Sequence, residues 1–325
     1  MVTDPISPLS DMTSVEFYLR GGRELLGELR SDSVLRGVVE PIIDDATKRK
    51  GISICSTKEL PYLFMLLHRV RYSWFVRDGN RALLKLERAF DALHEQAQAR
   101  HADEMDRRLQ VLTREPKDRE FRQVVSALSE IVVLGCLTQH WSGAVDLWPA
   151  LPGEVNAASS DCLLRDRLPN VNVEVAAAWT DQDMKDRPRQ PVARLYSRVN
   201  LPARRLVGTL REKRRQMRKC YANVLFLTLF MAFDERDDPL NVNGCQARFE
   251  ADLGSEMAKD TWKGLNLLVV ETDSAWRLVR VYDVHNTARD EAARLRLIGD
   301  IECAFRSHWY ISDAYEVRPI HVRGK

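Results

Sequence analysis

Residues 222–233, ANVLFLTLFMAF, constrain the fold more than any other stretch of this chain. The run is too short for a membrane helix, which needs about 20 apolar residues. It is strand-like in composition and is stopped by the polar, turn-prone DERDDP. It therefore reads as a β-strand buried on both faces. Such a strand lies inside a sheet with cover on both sides. The expected class is α/β, with a central mixed sheet flanked by helices.

The elements on either side agree with that frame. Apolar spacing of three and four residues predicts a helix over 118–138, with Phe121, Val124, Leu128, Ile131 and Val132 inward. Strands are expected near 144–148, 160–164 and 171–178, the last two separated by the turn-like RDRLPN. A basic helix at about 203–220 leads into the apolar strand. A helix near 243–258, strands near 265–271 and 276–284, and a helix near 287–306 follow. The first 115 residues read as helical, with helices at about 13–30, 58–77 and 80–113. The third carries a stripe of Leu83, Leu86, Phe90 and Leu93 on an otherwise polar surface, which suits a partner-facing or coiled-coil-like helix. Pro116 marks the expected boundary between a helical region, 1–116, and an α/β domain, 117–325. The helical region is the expected site of a homodimer or protein-partner contact.

The chain has 325 residues, 45% hydrophobic and 30% charged, as in an ordinary folded protein. The N-terminus lacks the basic start and apolar stretch of a secretory signal. Its six cysteines form no CxxC pair, so reduced thiols in a cytoplasmic protein, with no membrane contact, are expected. A net charge of +2 singles out no partner, but residues 187–219 hold twelve Arg or Lys and one acid, Glu212. A block of this kind on one face is an electrostatic footprint for phosphates; a solvated basic surface is the plainer account.

The chemistry centres on NVNVEVAAA, residues 170–178. With a period of two, Val171, Val173 and Val175 face one side, and Glu174 shares the other with Asn172 and Ala176. A carboxylate in mid-strand is costly to bury unless paired, and a divalent cation is one partner. Asp161, at the start of the apolar CLL, is brought towards Glu174 if the two strands are antiparallel neighbours. Two converging carboxylates make a hard oxygen site suited to Mg²⁺.

Residues 118–235 resemble the PD-(D/E)XK nuclease superfamily, the restriction-endonuclease-like fold. The residues that carry the resemblance are Glu130 on the first helix, Asp161 in SSDCLL, Glu174 in NVEVAAA, and the order helix, three strands, helix, strand. The resemblance implies a metal-dependent nuclease acting on DNA or RNA, of the kind found in bacterial defence or a mobile element. It implies a Mg²⁺ or Mn²⁺ site at Asp161 and Glu174 assisted by Glu130. Two departures stand out: Ser160 replaces the usual proline, and Ala176 occupies the position of the usual lysine. Alanine can neither orient water nor stabilise a negative transition state. On a helix with Leu206, Leu210, Met217 and Tyr221 buried, Lys213 and Gln216 share one flank. From there Lys213 could reach Glu174 and supply the missing ammonium. The phosphate-binding set is then Arg204, Arg205, Arg211, Arg214, Arg215, Gln216, Arg218 and Lys219. The alternative is a catalytically inactive relative that binds nucleic acid or a protein partner; a helical scaffold with a merely structural α/β part ranks third.

The remaining signals are weaker. His94 and His101 lie two turns apart on the expected third helix, but no carboxylate or thiol accompanies them with ligand spacing. Asp283 and His285 end a strand without a nearby nucleophile. Trp141, Trp148 and Trp179 flank the core strands, where packing is the commoner use. No Walker loop or GxGxxG fingerprint occurs.

Overall fold

The computed structural model describes residues 14–49, 79–113, 120–149, 160–166, 169–179, 210–211, 213–214, 216–218, 221–230, 255, 259, 262, 264–272, 279–283, 291–308 and 316–319. It is a mixed α/β protein. Helices α1 (Ser14–Glu28), α2 (Val34–Arg49), α3 (Gly79–Gln98) and α4 (Ala102–Thr113) precede α5 (Glu120–His140). Strands β1 (Val145–Leu147), β2 (Cys162–Leu164), β3 (Val171–Trp179), β4 (Ala222–Phe230), β5 (Leu265–Thr272) and β6 (Val279–Asp283) follow. Helix α6 (Glu291–His308) and strand β7 (Glu316–Pro319) come last. The seven strands lie side by side in chain order. The first three form an antiparallel meander, β3, β4 and β5 are parallel, β6 is antiparallel to β5, and β7 is parallel to β6.

The alternation in β3 divides the sheet into two chemically different faces. Val171, Val173, Val175 and Ala177 join Val224 and Phe226 of β4 and Leu267 and Val269 of β5 in one apolar cluster with α5. Asn172, Glu174 and Ala176 share the other face with Asn223, Leu225 and Leu227 of β4, and all six are buried. Strand β4, the apolar run, is paired on both edges and buried on both faces as its sequence predicts. Helix α5 is apolar almost all round because it is sandwiched: α3 and α4 pack on one side of it and β3 on the other.

Several expectations about elements are corrected. The single helix expected over 80–113 is two, because the chain turns at 99–101 and His101 accepts the N–H groups of Glu104 and Met105 to open α4. The stripe Leu83, Leu86, Phe90 and Leu93 is buried within this chain, in the cluster shared with α5. Helix α2 lies in the stretch read as helical but is given no bounds there, and it contains Pro41; burial of Val38, Val39, Ile42 and Ile43 outweighs the hydrogen bond that a proline forfeits. The basic helix expected to reach 220 has ended by Gln216: Gln216 and Met217 donate to the carbonyls of Lys213 and Arg214, the closing bonds of a last tight turn. Strand β7 is also unforeseen. The expected elements at 58–77 and 243–258 lie outside the described residues, apart from residue 255, and so does Pro116. The helices on either side of Pro116 belong to one core. Among the described residues, no helix is long and apolar enough to cross a membrane.

Candidate functional site

The β2–β3 pairing sets Cys162 against Val173 and Leu163 against Asn172. One further step in that register sets Asp161 beside Glu174, on the face away from α5. Asp161 is fixed by a backbone hydrogen bond: the Val175 N–H donates to its Oδ2 at 2.6 Å. Lys213 comes over this face from the helical turn before β4. Its ammonium donates to Asp161 Oδ2 at 2.8 Å and to Glu174 Oε2 at 3.1 Å. The structure thus brings Asp161, Glu174 and Lys213 together, with Lys213 and Glu174 separated by 39 residues in sequence. Ala176 contributes only a buried methyl group.

Glu174 is 2% exposed, and its second oxygen, Oε1, is buried without a hydrogen-bond partner among the described residues. Burial first, and then the charge of Asp161, push its carboxyl up to about 9, against the opposing pull of Lys213. Burial lowers the Lys213 ammonium, but Asp161 and Glu174 outweigh it and hold the group above its ordinary value. Two carboxylates thus share one ammonium, and Glu174 takes up the imbalance as a proton.

Glu130 is engaged elsewhere. Its Oε1 accepts from the Arg108 guanidinium of α4 and from the Trp148 indole N–H at 2.6 Å. Burial and the neighbouring Asp161 raise its pKa, while Arg108 and Trp148 lower it. Trp148 adopts a positive φ of 41° just after β1, and its N–H donates to the Asp161 carbonyl at 3.0 Å. The Arg108 guanidinium lies 4.3 Å from the centre of its ring, and His101 packs edge-on at 5.9 Å. Trp148 is therefore a buried wedge between helical layer and sheet, and Trp141 is likewise buried. His94 and His101 do not share a helix: α3 ends at Gln98, and the His94 ring bonds to Gln98.

Of the expected phosphate-binding residues, Arg211 and Arg214 are exposed and Arg218 and Gln216 are half-buried. Gln216 does not flank a helix beside Lys213; it lies past the helix end, and its carbonyl accepts from Asn172. Arg218 Nε donates to Ser160 Oγ at 3.4 Å. Arg204, Arg205, Arg215, Lys219 and His285 lie outside the described residues, and the side chains of Trp179 and Asp283 are not described. Cys136 and Cys162 are buried thiols, and Cys303 is exposed.

The sequence reading missed Arg108 as the partner of Glu130, and no local pattern marks that pairing. It also missed a row of asparagine amides beside the site, two of them buried and the third half-buried. That row had a visible signal, because β3, β4 and β5 each carry asparagine as their second residue: Asn172, Asn223 and Asn266. Among the described residues, no three His, Cys, Asp or Glu side chains are grouped to hold a metal ion. Comparison with known proteins finds no matching family model, no matching curated protein and no matching solved structure.

Proposed function

We propose that this chain is a metal-dependent nuclease built on a restriction-endonuclease-like core, with Asp161, Glu174 and Lys213 as its working residues. The observation that carries the reading is the Lys213 ammonium between the two carboxylates. It supplies from a neighbouring element the positive group that Ala176 lacks. The fold reading is supported by the order helix, antiparallel three-stranded meander, helical turn and parallel fourth strand.

A hard divalent cation, Mg²⁺ or Mn²⁺, fits the donors present. Asp161 and Glu174 would hold it, because Glu174 can give up its proton to present a second carboxylate, and among the described residues its Oε1 has no donor. When bound, such an ion supplies Lewis-acid polarisation of a phosphoryl oxygen and lowers the pKa of a water. Lys213 then stabilises the negative charge that develops on the phosphate in the transition state, from a partly buried position where each charge counts for more than in water. Exposed Arg211 and Arg214 draw the polyanion to the same edge. Glu130, held by Arg108 and Trp148, shapes the field around Asp161 from the side.

A second reading rests on Lys213 as a permanent counterion: a protein that binds nucleic acid without cutting it. The test is cleavage of DNA and RNA panels with Mg²⁺ or Mn²⁺ by the wild type, Asp161→Ala, Glu174→Ala and Lys213→Ala. Each substitution is expected to lower the rate by at least about a hundredfold. Equal rates in all four would sink the site assignment. Salt-sensitive binding with no cleavage by the wild type would instead establish the second reading.

A further inference from the structure

Beside the three working residues lies a second tier of polar groups, each a near neighbour in sequence of one of them. Ser160 precedes Asp161, Asn172 lies two residues before Glu174 on the same face, and Gln216 follows Lys213 by three. Ser160 Oγ donates to Asn172 Oδ1 at 2.5 Å. The Asn172 amide donates to the Gln216 carbonyl at 3.2 Å and to Asn223 Oδ1 at 2.9 Å. Asn223 Oδ1 also accepts the Arg218 N–H at 2.8 Å, while its amide donates to the carbonyls of Arg218 and Gly264, both at 2.9 Å. The Asn223 N–H donates in turn to Asn266 Oδ1 at 2.8 Å.

All three of Ser160, Asn172 and Asn223 are buried. Buried amides are tolerated only when satisfied, and satisfied amides rigidify what they bond. What these bond is the connection between the end of the basic helix and the start of β4. That connection fixes Lys213, because the Gln216 N–H closes the turn by donating to the Lys213 carbonyl at 3.0 Å. A lysine on a free connection would have a long flexible stem and many alternatives in water.

We propose that Asn172 and Asn223 are positioning residues for Lys213, clamping the chain after it so that its ammonium stays between Asp161 and Glu174. The inference rests on the nuclease reading for its purpose but not for its geometry. Asn172 sets the height of the Gln216 carbonyl over β3, and Asn223 locks Arg218 against β4 and β5.

The experiment is acylation of lysines by an N-hydroxysuccinimide ester without added cation, read residue by residue by mass spectrometry, with exposed Lys48 as the internal control. Asn172→Ala is expected to raise Lys213 labelling about tenfold, the size of effect that losing a buried hydrogen bond to the clamp allows, with Lys48 unchanged. Ser160→Ala, which removes only the outermost hydroxyl, covers the case in which Asn172→Ala does not fold; it is expected to raise labelling about threefold. Unchanged Lys213 labelling in a folded variant overturns the proposal, and so does an equal rise at Lys48, which would mean general loosening. In the cleavage assay Asn172→Ala should lower kcat with KM unchanged. Faster labelling in a protein whose wild type cuts nothing would leave the clamp intact and defeat only the nuclease reading.

Discussion

Glu174 and Lys213 are where small changes have the clearest consequences. With Met in place of Lys213, two buried carboxylates face each other without a cation. The expected loss is about 3 kcal/mol of stability at pH 8, at the low end for breaking a buried ion pair because Glu174 can stay protonated. Urea unfolding checks this, and millimolar Mn²⁺ should restore part of the loss by binding the folded state. The pH dependence has a definite sign. The Glu174 carboxyl is raised from 4.5 to about 9, so between those values the folded chain holds a proton that the unfolded chain releases. This group's contribution to stability is full below its unfolded value and is lost as pH rises through the folded one. Glu174→Gln should flatten the fall in stability between pH 5 and 9 by up to about 1.4 kcal/mol per pH unit, measured by urea unfolding across that range. In the wild type, cation binding should release close to one proton, seen as a binding heat that varies with the ionisation enthalpy of the buffer.

At the scale of elements, the contact of α3 with α5 governs how the helical layer reaches the sheet. Gly135 lies against the backbone of Ala89, and a methyl group there would run into the Ala89 carbonyl. Backbone cannot swing aside as a long side chain can. Gly135→Ala should therefore cost about 3 kcal/mol, the upper range for overpacking, although alanine is the better helix former. Thermal unfolding of the single variant checks this, and a stabilised protein would show that the two helices do not pack so closely. The elements themselves were largely legible. Period-two alternation marked β3, the apolar run marked β4, and three-and-four spacing marked α5. The failures came where long-range packing overrode local signals: Pro41 inside α2, the break between α3 and α4, and the early end of the basic helix.

For the whole molecule, the helical layer and the sheet share one apolar cluster that runs from Leu19 to Ala304. Among their polar contacts, Arg108 of α4 holds Glu130 of α5 beside Trp148. Arg108→Met leaves Glu130 buried and uncompensated, at a cost of about 3 kcal/mol, and adding Glu130→Gln should recover most of it. Because the core is continuous, circular dichroism and tryptophan fluorescence should report one coincident unfolding transition in the wild type and in both variants. Two separated transitions would show the helical layer to be an independent unit.

By itself the sequence determined which residues share a strand face, because side-chain direction in a strand depends only on position along it. Asp161, Glu174 and the gap at Ala176 were visible for that reason, and so was the burial of β4. Only the tertiary structure decided that Lys213 bridges the two carboxylates, that Glu130 is taken by Arg108, and that Asn172 and Asn223 fasten the turn after Lys213. Those contacts join residues as far apart as Asp161 and Lys213, 52 positions in the chain. Local periodicity says which way a side chain points, and only the packing of whole elements says what it meets there.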